Sequence, residues 1–190
     1  MRQTKRDELV RKALDVFYRN GFHATGMDML VVETGVSKTS MYKHFRTKED
    51  LILAVLRLRD EMFRNWLYRR IEELADDPRS RLLAMFDALE EWFGSPEFRG
   101  CMFIKAIAEF QDRDHPIHVQ AAEHKRLLFD HFTRLAGDAG ANDPAGLARQ
   151  LLVLKEGAIV TAAMGQGAAP AQDAKAAAHA IVDRDCAGSG

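Results

Sequence analysis

Cysteine is scarce in this chain of 190 residues: Cys101 and Cys186 stand 85 positions apart, with no CxxC spacing. That excludes a disulfide framework and a cysteine zinc site, and it fits a reducing compartment. No run of about 18 apolar residues occurs, so no segment reads as membrane-spanning. The opening MRQTKRDELVRK moves straight from basic residues into a charged stretch without an apolar signal core, so a cytoplasmic location is expected. Nucleotide and hydrolase signatures are missing too: there is no GxGxxG, P-loop or GxSxG. The GQG at Gly165 to Gly167 has no preceding strand and reads as a helix stop. No catalytic residue, resident metal or cofactor is expected, and the chain does not read as an enzyme. Net charge is also lacking, at -1, while hydrophobic residues make up 47%, which together exclude a disordered chain.

The small net charge conceals an asymmetry. Residues 1–48 hold ten Lys/Arg against five Asp/Glu, and residues 49–190 hold seventeen against twenty-three. A basic head on an acidic body suggests a module that binds a polyanion.

Helical periodicity runs throughout, and no segment alternates as a strand would. In the first helix Val10, Ala13, Leu14 and Phe17 fall at i, i+3, i+4 and i+7. Helix-start signals then recur at close intervals: Thr4 with Asp7, Thr25 with Asp28, Ser37, and Thr47 with Asp50. Four caps in about 50 residues predict a tri-helical unit followed by a longer connecting helix. Beyond Leu51 the helices lengthen, to about Asp76, from Pro78 to Phe93, and from Cys101 to Phe110. Further helices are expected from Pro116 to about Leu135, from Pro144 to about Met164, and from Pro170 to about Asp183. The expected fold is all-α with about nine helices. Residues 1–47 form the head, 48–185 the body, and 186–190 a frayed tail.

Residues 25–45, TGMDMLVVETGVSKTSMYKHF, have the grammar of a helix-turn-helix, with two short helices joined by a turn at Gly35. Leu30, Val36, Met41 and Phe45 are placed to meet Phe17 and Phe22. Lys38, Thr39, Ser40, Tyr42, Lys43 and His44 are left on the exposed face and leading end of the third helix. Short donors of this kind reach base edges and phosphates. Lys48 would set an ammonium beside another phosphate. The same spacing also suits a helical hairpin with a solvated polar face.

The stretch from Ala13 to Leu53 resembles the DNA-binding domain of the TetR family of bacterial transcriptional regulators. Phe17, Gly21, Thr25, Gly35-Val36-Ser37, Tyr42, His44-Phe45, Lys48 and Leu51 fall at that family's spacing. Departures are Thr39, where members often have glycine or proline, and Leu30-Val31 in place of a compact Ile-Ala pair. The resemblance implies that Thr25, Tyr42, His44 and Lys48 hold phosphates while Lys38, Thr39 and Ser40 lie nearest the bases. RGCMFIKAIAEF followed by DHP resembles one C-terminal subtype of the family. A homodimeric repressor on a double-stranded DNA operator, released by a small effector, is the function so implied.

The body must then dimerise and hold a ligand. Leu147, Leu151, Leu154, Ala158 and Ala162, with Ala174, Ala178 and Ile181, form stripes suited to a four-helix dimer interface. The same stripes would also serve as intrachain core. Met62, Trp66, Met85, Phe86, Phe103 and Phe110 are candidates to line a pocket for an apolar or aromatic effector. An alternative is a metal- or redox-responsive regulator. It would use the cluster His115, His118, His124 and His131, or Cys101 with Lys105 at i+4. A helical-bundle metalloenzyme built on that cluster is the remotest option. Lys155-Glu156 reads as an edge or interface ion pair.

Overall fold

Residues 4–186 are described in a computed structural model of the chain. Among them stand nine α-helices and one π-helical turn, with no strand. The helices are α1 (Lys5–Asn20), α2 (Met27–Thr34), α3 (Lys38–His44), α4 (Lys48–Leu74), α5 (Pro78–Phe93), α6 (Met102–Glu109), α7 (Pro116–Asp138), α8 (Pro144–Thr161) and α9 (Ala169–Asp185). The π-helical turn Ala162–Gln166 follows α8. The tail expected at 186–190 lies outside the described residues except for Cys186, which is buried with its N–H on the carbonyl of Val182.

Helix ends follow the capping chemistry. At α1 the Thr4 hydroxyl accepts the Asp7 N–H at 3.2 Å, and the Asp7 carboxylate accepts the Thr4 N–H at 3.3 Å. Thr47 and Asp50 repeat this box at α4, at 3.1 and 3.0 Å. Ser37 caps α3, and Asp77 and Asp143 cap α5 and α8 with proline in the first turn. Each such cap contributes about 1 kcal/mol. Gly35, in the left-handed conformation at φ 69°, closes α2 where a side chain would be strained. Thr25 departs from expectation. Gly26 occupies the N-cap of α2 without a side-chain bond, and the Thr25 hydroxyl donates to the Gly21 carbonyl at 2.6 Å.

The helices pack as two compact units. The first joins the residues up to Phe63 with Met102–His124, and the second joins Arg64–Cys101 with the residues from Lys125 onward. In the first unit Phe17, Phe22, Leu30, Met41 and Phe45 are buried as expected, Val36 only partly, and Phe17 meets Phe22 at 5.6 Å between ring centroids. Leu51, Ile52, Val55 and Leu56 of α4 complete that core. Deeper in, His124 Nδ1 lies 2.7 Å from Asp60 Oδ1, and the imidazole stacks on Phe103 at 3.7 Å.

In the second unit α5, α8 and α9 pack against one another. Ala171, Ala174 and Ala178 are buried, and such small side chains let α9 approach its neighbours closely. Ion pairs Lys175–Asp87 and Arg79–Asp183, both at 2.6 Å, tie α9 to α5.

Lys155 corrects the expectation of an edge pair, because only 1% of its side chain is exposed. Its ammonium and that of Lys125 both reach Glu156 Oε1 at 2.7 Å. Burial pushes Lys155 below its ordinary pKa, and the Lys125 charge pushes the same way. Burial alone would raise the Glu156 carboxyl, but Lys155 and Lys125 overcome it and hold the group at about 2. A carboxyl depressed from 4.5 contributes stability in full above that pH and loses it as pH falls toward 2. Glu156→Gln should therefore cost on the order of 2 kcal/mol at pH 7, by leaving two ammonium groups without their counter-charge. The gap to wild type should narrow as urea titrations move from about pH 5 to pH 3. A gap constant across that range would show that the carboxylate charge is not what holds the cluster.

Candidate nucleic-acid interface

The third helix is seven residues long, too short to persist alone, so its neighbours fix where its side chains point. Met41 is its buried anchor, followed by Phe45 just past the end, while Ser37 accepts the Ser40 N–H at 3.3 Å. With that face held inward, Lys38, Thr39, Tyr42, Lys43 and His44 are exposed and Ser40 is half-exposed. The Lys38 ammonium lies 3.3 Å from Asp28 on α2, an open ion pair of little strength that leaves it available to another anion. These six side chains therefore share one accessible surface that carries cations, hydroxyls and a phenol.

Before α3, the turn is organised by a residue that spacing alone did not single out. Thr34 is buried, its hydroxyl donating to Leu30 O at 2.6 Å and accepting the Val36 N–H at 3.2 Å across Gly35. Lys12 Nζ reaches the Thr34 carbonyl at 3.0 Å, and Arg19 pairs with Glu33 at 2.9 Å. These contacts fasten α2 to α1. A buried threonine ahead of a glycine turn would have been the sequence signal.

Two residues expected on phosphates are placed otherwise. Thr25 is fully buried, its hydroxyl committed to the Gly21 carbonyl. Lys48 is half-buried, and its ammonium donates to the carbonyls of Phe22 and Thr25 at 3.0 and 3.2 Å. Both hold the turn between α1 and α2, because that turn has backbone oxygens with no helical partner.

The expected pocket and interface residues also resolve one by one. Met62 is exposed, Trp66 is half-buried near Trp92 at 6.4 Å, and Met85 and Phe86 are fully buried. Phe103 stacks on His124, and Phe110 packs among Phe22, His23 and His115. Leu147, Leu151, Ala158, Ala162, Ala174 and Ala178 are buried within the chain, so they serve its own core, while Leu154 and Ile181 are half-exposed. The outward face of α8 instead presents Val153 and Val160, with exposed Gly157 between them, and Met164 beyond in the π-helical turn. Val153 and Met164 are 72% and 77% exposed, values that mark an apolar stripe open to a partner.

The histidines do not converge. His115 accepts the Ile117 N–H at 3.2 Å, His118 lies 2.8 Å from Phe110 O, and His124 pairs with Asp60. His131 stacks on Tyr68 at 3.6 Å; burial, with Arg134 and Arg64, holds its pKa down at about 4. Among the described residues no three His, Cys, Asp or Glu side chains gather as a metal site requires. Cys101 is buried, and the ammonium nearest it is that of Lys125, donating to Sγ at 3.6 Å. Lys105, expected there, instead reaches the Tyr18 carbonyl at 3.0 Å.

Comparison with known proteins agrees with this arrangement. Residues 9–55 match the family described as bacterial regulatory proteins, tetR family, and residues 78–178 match the tetracyclin repressor-like C-terminal domain. The TetR-family transcriptional regulator SCO4454 of Streptomyces coelicolor superposes with a TM-score of 0.88 at 27% identity, over 95% of each chain. A tetR-type transcriptional regulator of Streptomyces avermitilis superposes at 0.81 with 31% identity, over 96% of this chain and 98% of its own. The HTH-type transcriptional regulator YjdC of Escherichia coli is 24% identical over 155 residues, 82% of this chain and 81% of its own. These relatives are transcriptional regulators rather than enzymes, and no described helix is long and apolar enough to cross a membrane. With an exposed polar face on its third helix and both family regions matched, the chain belongs to the TetR family of DNA-binding transcriptional regulators.

Proposed function

We propose that the protein is a homodimeric repressor in the cytoplasm that leaves a palindromic operator when a small effector binds its body. The observation that carries the reading is the single exposed surface of α3, built from Lys38, Thr39, Ser40, Tyr42, Lys43 and His44. Thr39 and Ser40, with Lys38, are short or extensible donors near the start of the helix and are assigned to base edges. Tyr42, Lys43 and His44 lie further along and are assigned to phosphates and sugars. Two such helices related by a two-fold would enter successive major grooves about 34–36 Å apart. Repression needs nothing beyond occupancy, since a dimer seated over a promoter excludes polymerase by its volume.

Dimerisation is assigned to the outward stripe Val153, Gly157, Val160 and Met164, with half-exposed Leu154 and Ile181 beside it. The steps of four, three and four keep these residues on one side of the chain. The effector is an apolar or aromatic small molecule, by the wealth of methionine and aromatic residues in the central helices. A 100-fold loss of operator affinity needs about 2.7 kcal/mol of differential effector binding, and by linkage operator weakens the effector equally.

A second reading is favoured by one contact, Lys125 Nζ on Cys101 Sγ at 3.6 Å. Cys101 Sγ thus has a cationic hydrogen-bond donor beside it, and a cysteine sulfur adds to an electrophilic carbon. The effector would then be a soft electrophile captured covalently. Intact-mass measurement after brief exposure to N-ethylmaleimide should show one adduct, lost in Cys101→Ser, together with release from operator. Labelling at Cys186 alone would discard this reading.

The test of the main reading is selection from randomised duplex DNA with sequencing of what binds. An inverted repeat with half-sites one helical turn apart is expected, and salt-sensitive binding without an enriched site would overturn it. On the selected site, Thr39→Ala should alter base preference, whereas Tyr42→Phe should weaken operator and random duplex alike. Lys48→Met should lower the melting temperature and leave the salt slope unchanged, because its ammonium is committed to the turn. A slope reduced by about one unit would return Lys48 to the phosphates.

A further inference from the structure

Helix α1 ends at Asn20 with carbonyls that have no helical N–H donor, and the turn beyond Gly21 has N–H groups with no helical carbonyl to accept them. Helix α6, more than 80 residues further along, supplies both needs. Lys105 Nζ donates to the Tyr18 carbonyl in the last turn of α1 at 3.0 Å. One helical turn later, Glu109 accepts the Phe22 N–H at 2.9 and 3.1 Å and the His23 N–H at 2.5 Å. His23 Nδ1 lies 3.2 Å from the same carboxylate. The cation meets carbonyls and the anion meets N–H groups, so the i, i+4 pair on α6 matches the polarity of the chain it grips. Lys48 takes the Phe22 and Thr25 carbonyls of the same turn.

Gly21 fits this grip. Its φ is 83°, and a Cβ there would stand 2.9 Å from Glu109 Oε1. The glycine therefore admits the carboxylate as well as the bend. Four residues beyond His23, α2 begins, and α3 follows through the Thr34 turn.

We propose that Glu109 is a positioning residue for DNA recognition: from α6 it fixes the α1–α2 turn and thereby the placement of the α3 reading face, without itself reaching DNA. The effect falls on specific binding. Base readout requires α3 placed to within a fraction of an ångström, whereas phosphate contact tolerates small shifts. The proposal rests on the assignment of α3 to operator recognition.

The test compares wild type with Glu109→Gln, which keeps size and loses one acceptor and the charge, and with Lys105→Met. Amide spectra come first. In wild type the Phe22 and His23 N–H signals should lie downfield and exchange slowly, and in Glu109→Gln both should move upfield and exchange faster. Affinity is then measured for the operator recovered by selection and for random duplex. Glu109→Gln should lose about tenfold or more on operator, with random-duplex affinity and salt slope unchanged, and Lys105→Met should lose less in the same pattern. Amides that do not move would overturn the grip itself. Amides that move with operator affinity within twofold of wild type would overturn the positioning role, as would equal losses on both DNAs. If Glu109→Gln does not fold, Lys105→Met decides by the same two readouts. Failure of wild type to enrich any site would strike the operator assignment instead, with the amide comparison still deciding the grip.

Discussion

A helix end leaves backbone groups that must find partners, and in the first unit this constraint governs nearly everything else. Three helices and the start of a fourth fall within about 50 residues, so turns and termini make up an unusually large share of the backbone. Side chains answer for them one by one. Thr4, Ser37 and Thr47 take N–H groups at helix starts, and Thr34 takes one across the turn. Lys12, Lys48 and Lys105 take carbonyls, and Glu109 takes the N–H groups of Phe22 and His23. Several residues that composition alone counts as part of a basic surface are thus spent inside the architecture. The positive head is less free than its charge suggests, and the cations left exposed on α3 stand out by contrast.

The second unit meets a different constraint. Its helices are rich in alanine and can approach closely, which leaves little room for long side chains between them. Lys155 is nevertheless buried there beside Glu156, with Lys125 completing the group. Exchanging such a cluster for apolar side chains is often neutral for stability, so its presence is not explained by stability alone. What it does fix is a unique pairing: a carboxylate oxygen shared by two ammonium groups tolerates little sliding of α8 against α7.

Much of this was legible in the sequence. Caps at Thr4, Ser37 and Thr47, and the first-turn prolines Pro78 and Pro144, gave helix starts to within a residue, because their chemistry is local. The core of Phe17, Phe22, Leu30, Met41 and Phe45 followed from periodicity for the same reason. What escaped was direction. On α8, Leu147, Leu151 and Ala158 make one apolar stripe and Val153, Gly157 and Val160 make another, and spacing cannot say which meets the chain's own core. The roles of Thr25, Lys48, Lys105 and Glu109 escaped because each acts on backbone groups. Backbone is the same at every position and leaves no mark in the sequence of the partner.

Exposed and committed side chains of the first unit respond differently to substitution. The polar residues on α3 are exposed and make few internal commitments, so substituting them leaves the folded unit largely as it was. The residues that hold α1, α2 and the turn between them are committed to particular backbone atoms and cannot be exchanged singly without leaving a buried group unpaired. The exposed polar chemistry and the geometry that holds it are thus carried by separate sets of side chains, one free to vary and the other fixed. A seven-residue helix makes this separation necessary. Too short to be stable by itself, α3 has its position set by everything around it, and its own exposed residues are left out of the core.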